Sequence, residues 1–429
     1  MQAVVILPTL FVLWMLKQRG FREALVFVLI PALLLLPNYY IWKLPGIPQF
    51  SFHNYMFVVL GAALVLGRER RLYRFQLLDL VVLFHVLWMA VSEFEMKGFA
   101  DAQNLFALRA MSILVPYAIG RAVGGHNGLM VGTLMMLAVV GAGIGWVSPY
   151  EARMGRNPFD FWRDIWPTSV PWDGVLYRNG LRRVSGPFAQ PICQGFYFSM
   201  MIPFIWWMND QRLIASRKLR IVIMGGAIVG LMASLSRGPI LGAILSVGFI
   251  WLGWQKARVA VFTTAILVGA FGTAMVIEDV VAYISVTRGE ARTPEQETAA
   301  YRNEMLQNYL EVVDEKPVYG FGKDGFPVVK GQKSIDNQYL FLSLSHGLPA
   351  AISFLLMMLL PALWLIPMLL RLPPGDPLGR LGWVGAGVQL GAIFTQVTVF
   401  SGPQTVEVLM LLLGITVEIA RRIRNRLRW

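Results

Sequence analysis

The sequence predicts an all-α polytopic membrane protein with 12 or 13 transmembrane helices and two long outer-face loops. Three observations predict it. Hydrophobic residues make up 56% of the 429 and charged residues only 15%, where a soluble protein carries about 25% charged. The apolar residues fall into runs near the roughly 20 that a span needs. Basic residues collect in alternate short connections. Four His and one Cys, Cys193, exclude a zinc ribbon, a metal cluster and a disulfide framework.

Taken in order, runs near 3–16, 24–42, 54–67, 77–92, 105–120 and 127–147 form an N-terminal transmembrane region, 1–147. Whether 3–16 is a true span sets the count at 12 or 13. It has the length of a signal-peptide core, but no basic region precedes it and no small-residue cleavage site follows, so it is expected to be retained. Residues 148–190 are the first long outer loop. Runs 191–208, 219–235, 240–254 and 259–277 fill the central region, 191–277. Residues 278–337 are the second long loop. Runs 338–370 (long enough to overrun the hydrocarbon), 382–400 and 403–420 belong to the last region, 338–429, which ends in a basic tail.

Charge sets the orientation. Connections 17–23, 68–75, 121–126, 209–218, 255–258 and 371–381, with Arg220 and the tail from Glu418, hold 21 Lys+Arg against 5 Asp+Glu. The remainder holds 17 against 20. Short basic connections stay in the cytoplasm. The tail residues Arg421, Arg422, Arg424, Arg426 and Arg428 are therefore expected at cytoplasmic lipid headgroups. Aromatic and basic residues are not interleaved on a folded face, so no nucleic-acid partner is expected. The absence of an internal repeat argues against an inverted-repeat transporter.

The chemistry-bearing residues then fall on the outer side. Thr293-Pro294-Glu295-Gln296 supplies an N-cap, a first-turn proline and a capping-box Gln. The helix that follows places Tyr301, Met305, Leu306, Tyr309 and Val313 on one face and Glu304, Glu311 and Asp314 on the other. Arg302 sits at the centre of the apolar face, either snorkelling or pairing with a buried carboxylate, or held over the bundle mouth to bind an anionic substrate. Arg183, in Arg182-Arg183-Val184-Ser185-Gly186-Pro187-Phe188, precedes the span from Pro191. Arg237, in Ser236-Arg237-Gly238-Pro239, lies in a tight hairpin between spans. Each alone suits a carbonyl or a lipid phosphate. Together three guanidinium groups at span ends suit a pyrophosphate gripped by bidentate hydrogen bonds.

Arg109 lies inside a span and needs a partner, with Glu93, Glu95 and Asp101 all available. Gly320-Phe321-Gly322-Lys323-Asp324-Gly325 matches a dinucleotide pattern without a strand–helix crossover and reads as a glycine-rich loop. Asp336-Asn337 opens the long span from 338, either as a helix N-cap or as a carboxylate poised as general base. His346 reads as a core histidine. His53, His85 and His126 are scattered, so metal catalysis is not expected.

At these residues the sequence resembles the O-antigen ligase and polymerase superfamily of bacterial envelope polysaccharide synthesis. The likeness covers about 180–370. It rests on R-V-S-G-P-F before a Q-P-led span, S-R-G at a hairpin, an arginine helix followed by K-P-V-Y-G-F-G, and D-N-Q-Y-L opening a long span with His346-Gly347-Leu348-Pro349 after it. The resemblance implies a C-type membrane glycosyltransferase in the bacterial inner membrane with its active site on the periplasmic face. It implies an undecaprenyl-diphosphate-linked oligosaccharide donor, a glycan acceptor, inversion at the anomeric carbon and no metal or other cofactor. A polysaccharide chain-length regulator is a candidate partner beside the lipid bilayer. Matched by motif, Arg183 and Arg237 contact the diphosphate and Arg302 completes the charge cluster. Two departures stand out: Asp336-Asn337 replaces the His-Asn of the ligases, and His346 stands where Glu often precedes the Gly.

The expected activity is that of a polysaccharide polymerase with Asp336 as base, Arg183, Arg237 and Arg302 on the diphosphate, and Gln190 and Tyr339 as sugar-contacting or positioning residues. The alternatives are a ligase that moves finished glycan to a lipid core or other terminal acceptor, a transporter or flippase of lipid-linked glycan, and a non-catalytic assembly partner.

Overall fold

A computed structural model describes residues 2–38, 40–42, 48–67, 70, 71, 73–160, 177, 178, 180–268, 286, 293–332 and 334–427. The chain is an all-α polytopic membrane protein. Among the described residues, strands are confined to two short hairpins, β1 (Ile41–Trp42) with β2 (Phe50–Ser51) and β3 (Tyr177–Arg178) with β4 (Leu181–Arg182). The first helices are α1 (Leu7–Gln18), α2 (Phe21–Ala24, continuing through π-helical Leu25–Leu29 into Ile30–Leu35) and α3 (Phe52–Leu66). Next come α4 (Leu77–Lys97), α5 (Phe99–Gly124), α6 (Asn127–Met154), α7 (Pro191–Asp210), α8 (Arg217–Ala233), α9 (Arg237–Trp254) and α10 (Arg258–Val268). The last are α11 (Pro294–Glu315), α12 (Gln338–Arg371), α13 (Pro377–Val397) and α14 (Pro403–Leu427).

Among the described residues five helices, α4, α5, α6, α9 and α12, are long and apolar enough to cross a membrane. α4 buries Leu78, Val82, Val86 and Met89 yet exposes Leu80, Leu83, Phe84, Leu87 and Val91. A helix apolar on both its packed and its exposed faces is stable only where lipid meets the exposed one. Residues 3–16 fall within a shorter apolar helix, Val4–Gln18. Of the run 259–277, residues 269–277 lie outside the described residues, as do 161–176 of the first long loop and 278–285 of the second.

α14 forms the centre, buried almost all round from Gln404 to Ala420. Its closest neighbour is α5. A Cβ on Gly120 would collide with the Leu411 carbonyl, so glycine lets the two backbones touch, as small residues do between membrane helices.

Helix caps define two ends. At one end lie the starts of α7, α9 and α12, here called the site end. At the other, the basic end, the Arg121 guanidinium is fully buried and bonds Asp79, with Glu418 at 3.5 Å; the Tyr117 hydroxyl donates to Asp79 at 2.6 Å. This network pins α4, α5 and α14. Arg121 is therefore not a headgroup residue, and several tail arginines are also held internally. Arg421 pairs with Glu418, Arg422 donates to Gly124 O and Asn127, and Arg426 meets Asp376 at 2.5 Å. Arg428 lies outside the described residues. The expectation of a tail anchored wholly at headgroups is corrected accordingly: buried carboxylates and carbonyls need these donors.

Candidate functional site

Four local structures converge at the site end. α6 does not stop at 147 but runs on through Pro149 to Met154, where left-handed Gly155 ends it. That extension delivers Glu151, whose carboxylate accepts from Ser185 N at 3.1 Å and Gly186 N at 3.0 Å. The R-V-S-G segment is thus held by a buried acid. Val184 N donates to Ala233 O at 3.1 Å, laying the segment along the end of α8.

The hairpin between α8 and α9 is shorter than expected. Arg237 is already the first residue of α9, leaving Ser234–Ser236 as the connection. Leu235 adopts φ 48°, a left-handed conformation that costs a branched residue roughly 1–2 kcal/mol. Two arginines brace that turn. Arg178 donates to Leu235 O at 2.6 Å, and Arg183 donates to Ser234 O at 3.3 Å and Ser236 Oγ at 2.8 Å.

α11 brings the third element. Thr293 caps it, accepting from Gln296 N, and Met305, Tyr309, Val312 and Val313 pack on Leu340 and Leu344 of α12. Leu306 is exposed at 39% and off the packed face, a correction to the helical-wheel reading that Val312 explains by taking its place. The Tyr301 hydroxyl donates to Ser334 O at 3.1 Å and accepts from Ser334 N at 3.3 Å, tying α11 to the strand of chain before α12.

The start of α12 separates the two readings of Asp336-Asn337. Asn337 is the cap: its Oδ1 accepts from Tyr339 N and Leu340 N, both at 3.0 Å. Asp336 takes no part in capping. It accepts from Ser334 Oγ at 3.1 Å and lines a cavity of about 290 Å³ with Arg178, Arg183, Arg237 and Arg302. The starts of α7 and α9 contribute Ile192 and Ser236–Pro239 to the same cavity. Helix N-termini carry partial positive charge.

The electrostatics follow. Burial, together with the like charges of Arg178 and Arg302, brings the Arg183 guanidinium down to about 10 despite Asp336. Burial and Arg237 lower Arg302, with Asp336 opposing. One carboxylate among four guanidinium groups is a set that holds an anion rather than a metal cation.

Three of the four arginines and Asp336 are those expected from the sequence. Residues 221–355 match the family described as O-antigen ligase. The matched stretch covers less than half of the chain. It contains Arg237, Arg302 and Asp336, while Arg178 and Arg183 reach its cavity from outside. No curated protein matches the chain.

Two expected residues do not line the cavity. Gln190 is the exposed N-cap residue of α7. Tyr339, the second residue of α12, turns inward, its hydroxyl donating to Ile393 O at 3.3 Å and its ring edge-on to Phe354 at 6.2 Å. Arg178 and Glu151 were not foreseen: the first precedes any motif, and the second lies in what reads as loop.

The matched stretch also contains a broken helix. Gly347 has φ 78° inside α12, and a Cβ there would strike the Val318 carbonyl. The carbonyls freed by the break accept from Phe321 N (Leu344 O, 2.9 Å) and Gly322 N (Ser345 O, 2.8 Å). The glycine-rich 320–325 loop is therefore a plug for α12. Lys323 N donates to Glu93 at 2.7 Å. Asp324 and Glu93 are the acids whose charges act on Arg109, Glu93 being one of the three expected. His346 is buried, with Nδ1 3.2 Å from Ser92 Oγ, and does not line the cavity.

Proposed function

We propose that the chain is an envelope polysaccharide polymerase acting on an undecaprenyl-diphosphate-linked donor at the outer face of the bacterial inner membrane. The match of residues 221–355 to the O-antigen ligase family supports glycan transfer in a membrane at the coarser level. The observation that carries the finer reading is Asp336, relieved of capping by Asn337 and facing four arginines in one cavity.

In this reading the donor diphosphate sits among Arg178, Arg183, Arg237 and Arg302. The Asp336 carboxylate accepts the proton of the acceptor hydroxyl. The resulting oxygen attacks the anomeric carbon from the face opposite the diphosphate, forming the new glycosidic bond with inversion. The bond from anomeric carbon to phosphate oxygen breaks, and its electron pair leaves with the lipid diphosphate. Preorganised positive charge opposes the negative charge that develops there, where electrostatic stabilisation acts most strongly. The acceptor is the non-reducing end of a second lipid-linked repeat unit.

The test uses purified protein in lipid vesicles with a lipid-diphosphate-linked repeat unit as the only substrate. A ladder of products with released lipid diphosphate is expected. A single shifted product that appears only after a lipid-core acceptor is added identifies a ligase instead. No product under either condition, from folded protein, rejects the transferase reading.

A further inference from the structure

A second cavity, of about 750 Å³, opens at the basic end, far from the arginine cluster. It lies between the first turn of α4, the lower part of α12 and the last turns of α14, and its walls are mainly apolar: Leu77, Leu78 and Val81, Leu360 and Leu363, Val417 and Ala420. Leu77 and Leu363 are 77% and 52% exposed, so the groove opens sideways toward lipid. Its volume is within the roughly 300–1,000 Å³ of ligand clefts.

Two polar groups that line it keep unused hydrogen-bonding capacity. The Gln76 side chain lines the groove and is 6% exposed, yet neither its amide nitrogen nor its oxygen has a hydrogen-bond partner. A buried amide without partners costs roughly 1–3 kcal/mol. Arg424 stands over the Trp364 ring, 5.0 Å from its centroid, and its Nε also lacks a partner. Arg421, Arg422 and Arg426 of the same helix are spent on Glu418, Gly124 and Asp376. Arg424 instead faces the groove. The chain entering α4 adds exposed Arg70, Arg71 and Arg74 on the same side of the membrane.

We propose that this groove binds one anionic glycerophospholipid of the leaflet at the basic end, with its phosphate on Arg424 and Gln76 and an acyl chain along Leu78, Val81, Leu360 and Leu363. A cation and an unpartnered amide beside an apolar trough match a lipid's phosphate and its acyl chain. Basic pockets between helices at this depth suit anionic headgroups, and a basic residue at the surface contributes about 1 kcal/mol toward them. By the distribution of positive charge this leaflet is the cytoplasmic one. The site is independent of the glycan chemistry at the other end.

The test is native mass spectrometry of the full chain, purified in detergent and given equimolar phosphatidylglycerol and phosphatidylethanolamine. Wild type is expected to retain one phosphatidylglycerol in preference to phosphatidylethanolamine by about five-fold or more, the factor set by one basic residue. Arg424→Gln should abolish the preference. Arg217→Gln, at an exposed basic residue of the same membrane face, should leave it intact. Equal retention of the two lipids by wild type overturns the proposal without any variant. So does an undiminished preference in Arg424→Gln, or an equal loss in Arg217→Gln, which would mean diffuse attraction. A polyprenyl phosphate that displaces phosphatidylglycerol at equal concentration would assign the groove to a different lipid and overturn it too.

Discussion

Replacing Arg302 by Gln should separate catalysis from stability. The Gln side chain is shorter but stays polar, no hydrogen bond of the described fold is lost, and the packed face of α11 (Met305, Tyr309, Val312, Val313) is untouched. What changes is charge. The cavity goes from four guanidinium groups and one carboxylate to three and one. A unit charge in contact with a guanidinium, about 4 Å away at an effective dielectric near 20, gains about 4 kcal/mol. If about half a charge develops on the leaving oxygen, the loss is about 2 kcal/mol, or roughly 30-fold in rate. Removing one donor from an oxyanion site costs roughly 10²–10³-fold, so turnover should fall by between about 30- and 1,000-fold. Folding moves the other way. Burial and Arg237 already oppose the Arg302 charge, so its removal should leave the thermal midpoint unchanged or raise it. Release of lipid diphosphate and a thermal melt, run on the same preparation, read both quantities. A loss below about five-fold, the generic effect of one surface cation, together with a lowered midpoint, would refute the electrostatic role and make Arg302 a packing residue.

Asn337→Ala removes the cap of α12, whose two backbone amides lose their acceptor. Stability should drop by about 0.5–2 kcal/mol, measured by denaturant or thermal melts, and turnover should fall only as far as Asp336 is displaced; no stability change would mean another group caps α12. Arg183 supplies a pH dependence. Its guanidinium is lowered to about 10, first by burial, so the folded state releases this proton before the unfolded state does. Above about 10 the unfolded chain binds more protons, and stability rises with pH through that window. Donor affinity runs oppositely, weakening as pH approaches 10 because the bound diphosphate needs the charge; an affinity flat up to that pH would separate Arg183 from the diphosphate.

Much of this arrangement is legible in the sequence because membranes impose a simple rule. Apolar runs mark the helices, and a turn as tight as Ser234–Ser236 must keep Arg237 near the membrane surface. The arginine helix was readable from its cap and its 3.6-residue period. What was not readable depends on phase and on tertiary contact. Whether Asp336 or Asn337 caps α12 is decided by a shift of one residue in where the helix begins, and the direction of Tyr339 is set by its contacts with Ile393 and Phe354. The run 338–370 reads as one continuous span, although Gly347 followed by Pro349 was the available sign of a break. Arg178 and Glu151 carry no motif. They are found only when a β-hairpin and an extended α6 bring them to the R-V-S-G segment.

The central claim is that Asp336 is the proton acceptor in a cavity built for an anionic donor, and Asp336→Asn tests it most directly. The variant keeps an oxygen able to accept from Ser334 Oγ and leaves the Asn337 cap in place. With a lipid-diphosphate-linked repeat unit in vesicles, turnover should fall by about 10²–10⁴-fold, the contribution of a general base, while donor binding is retained. Turnover equal to wild type, with the donor bound equally well, would contradict the account.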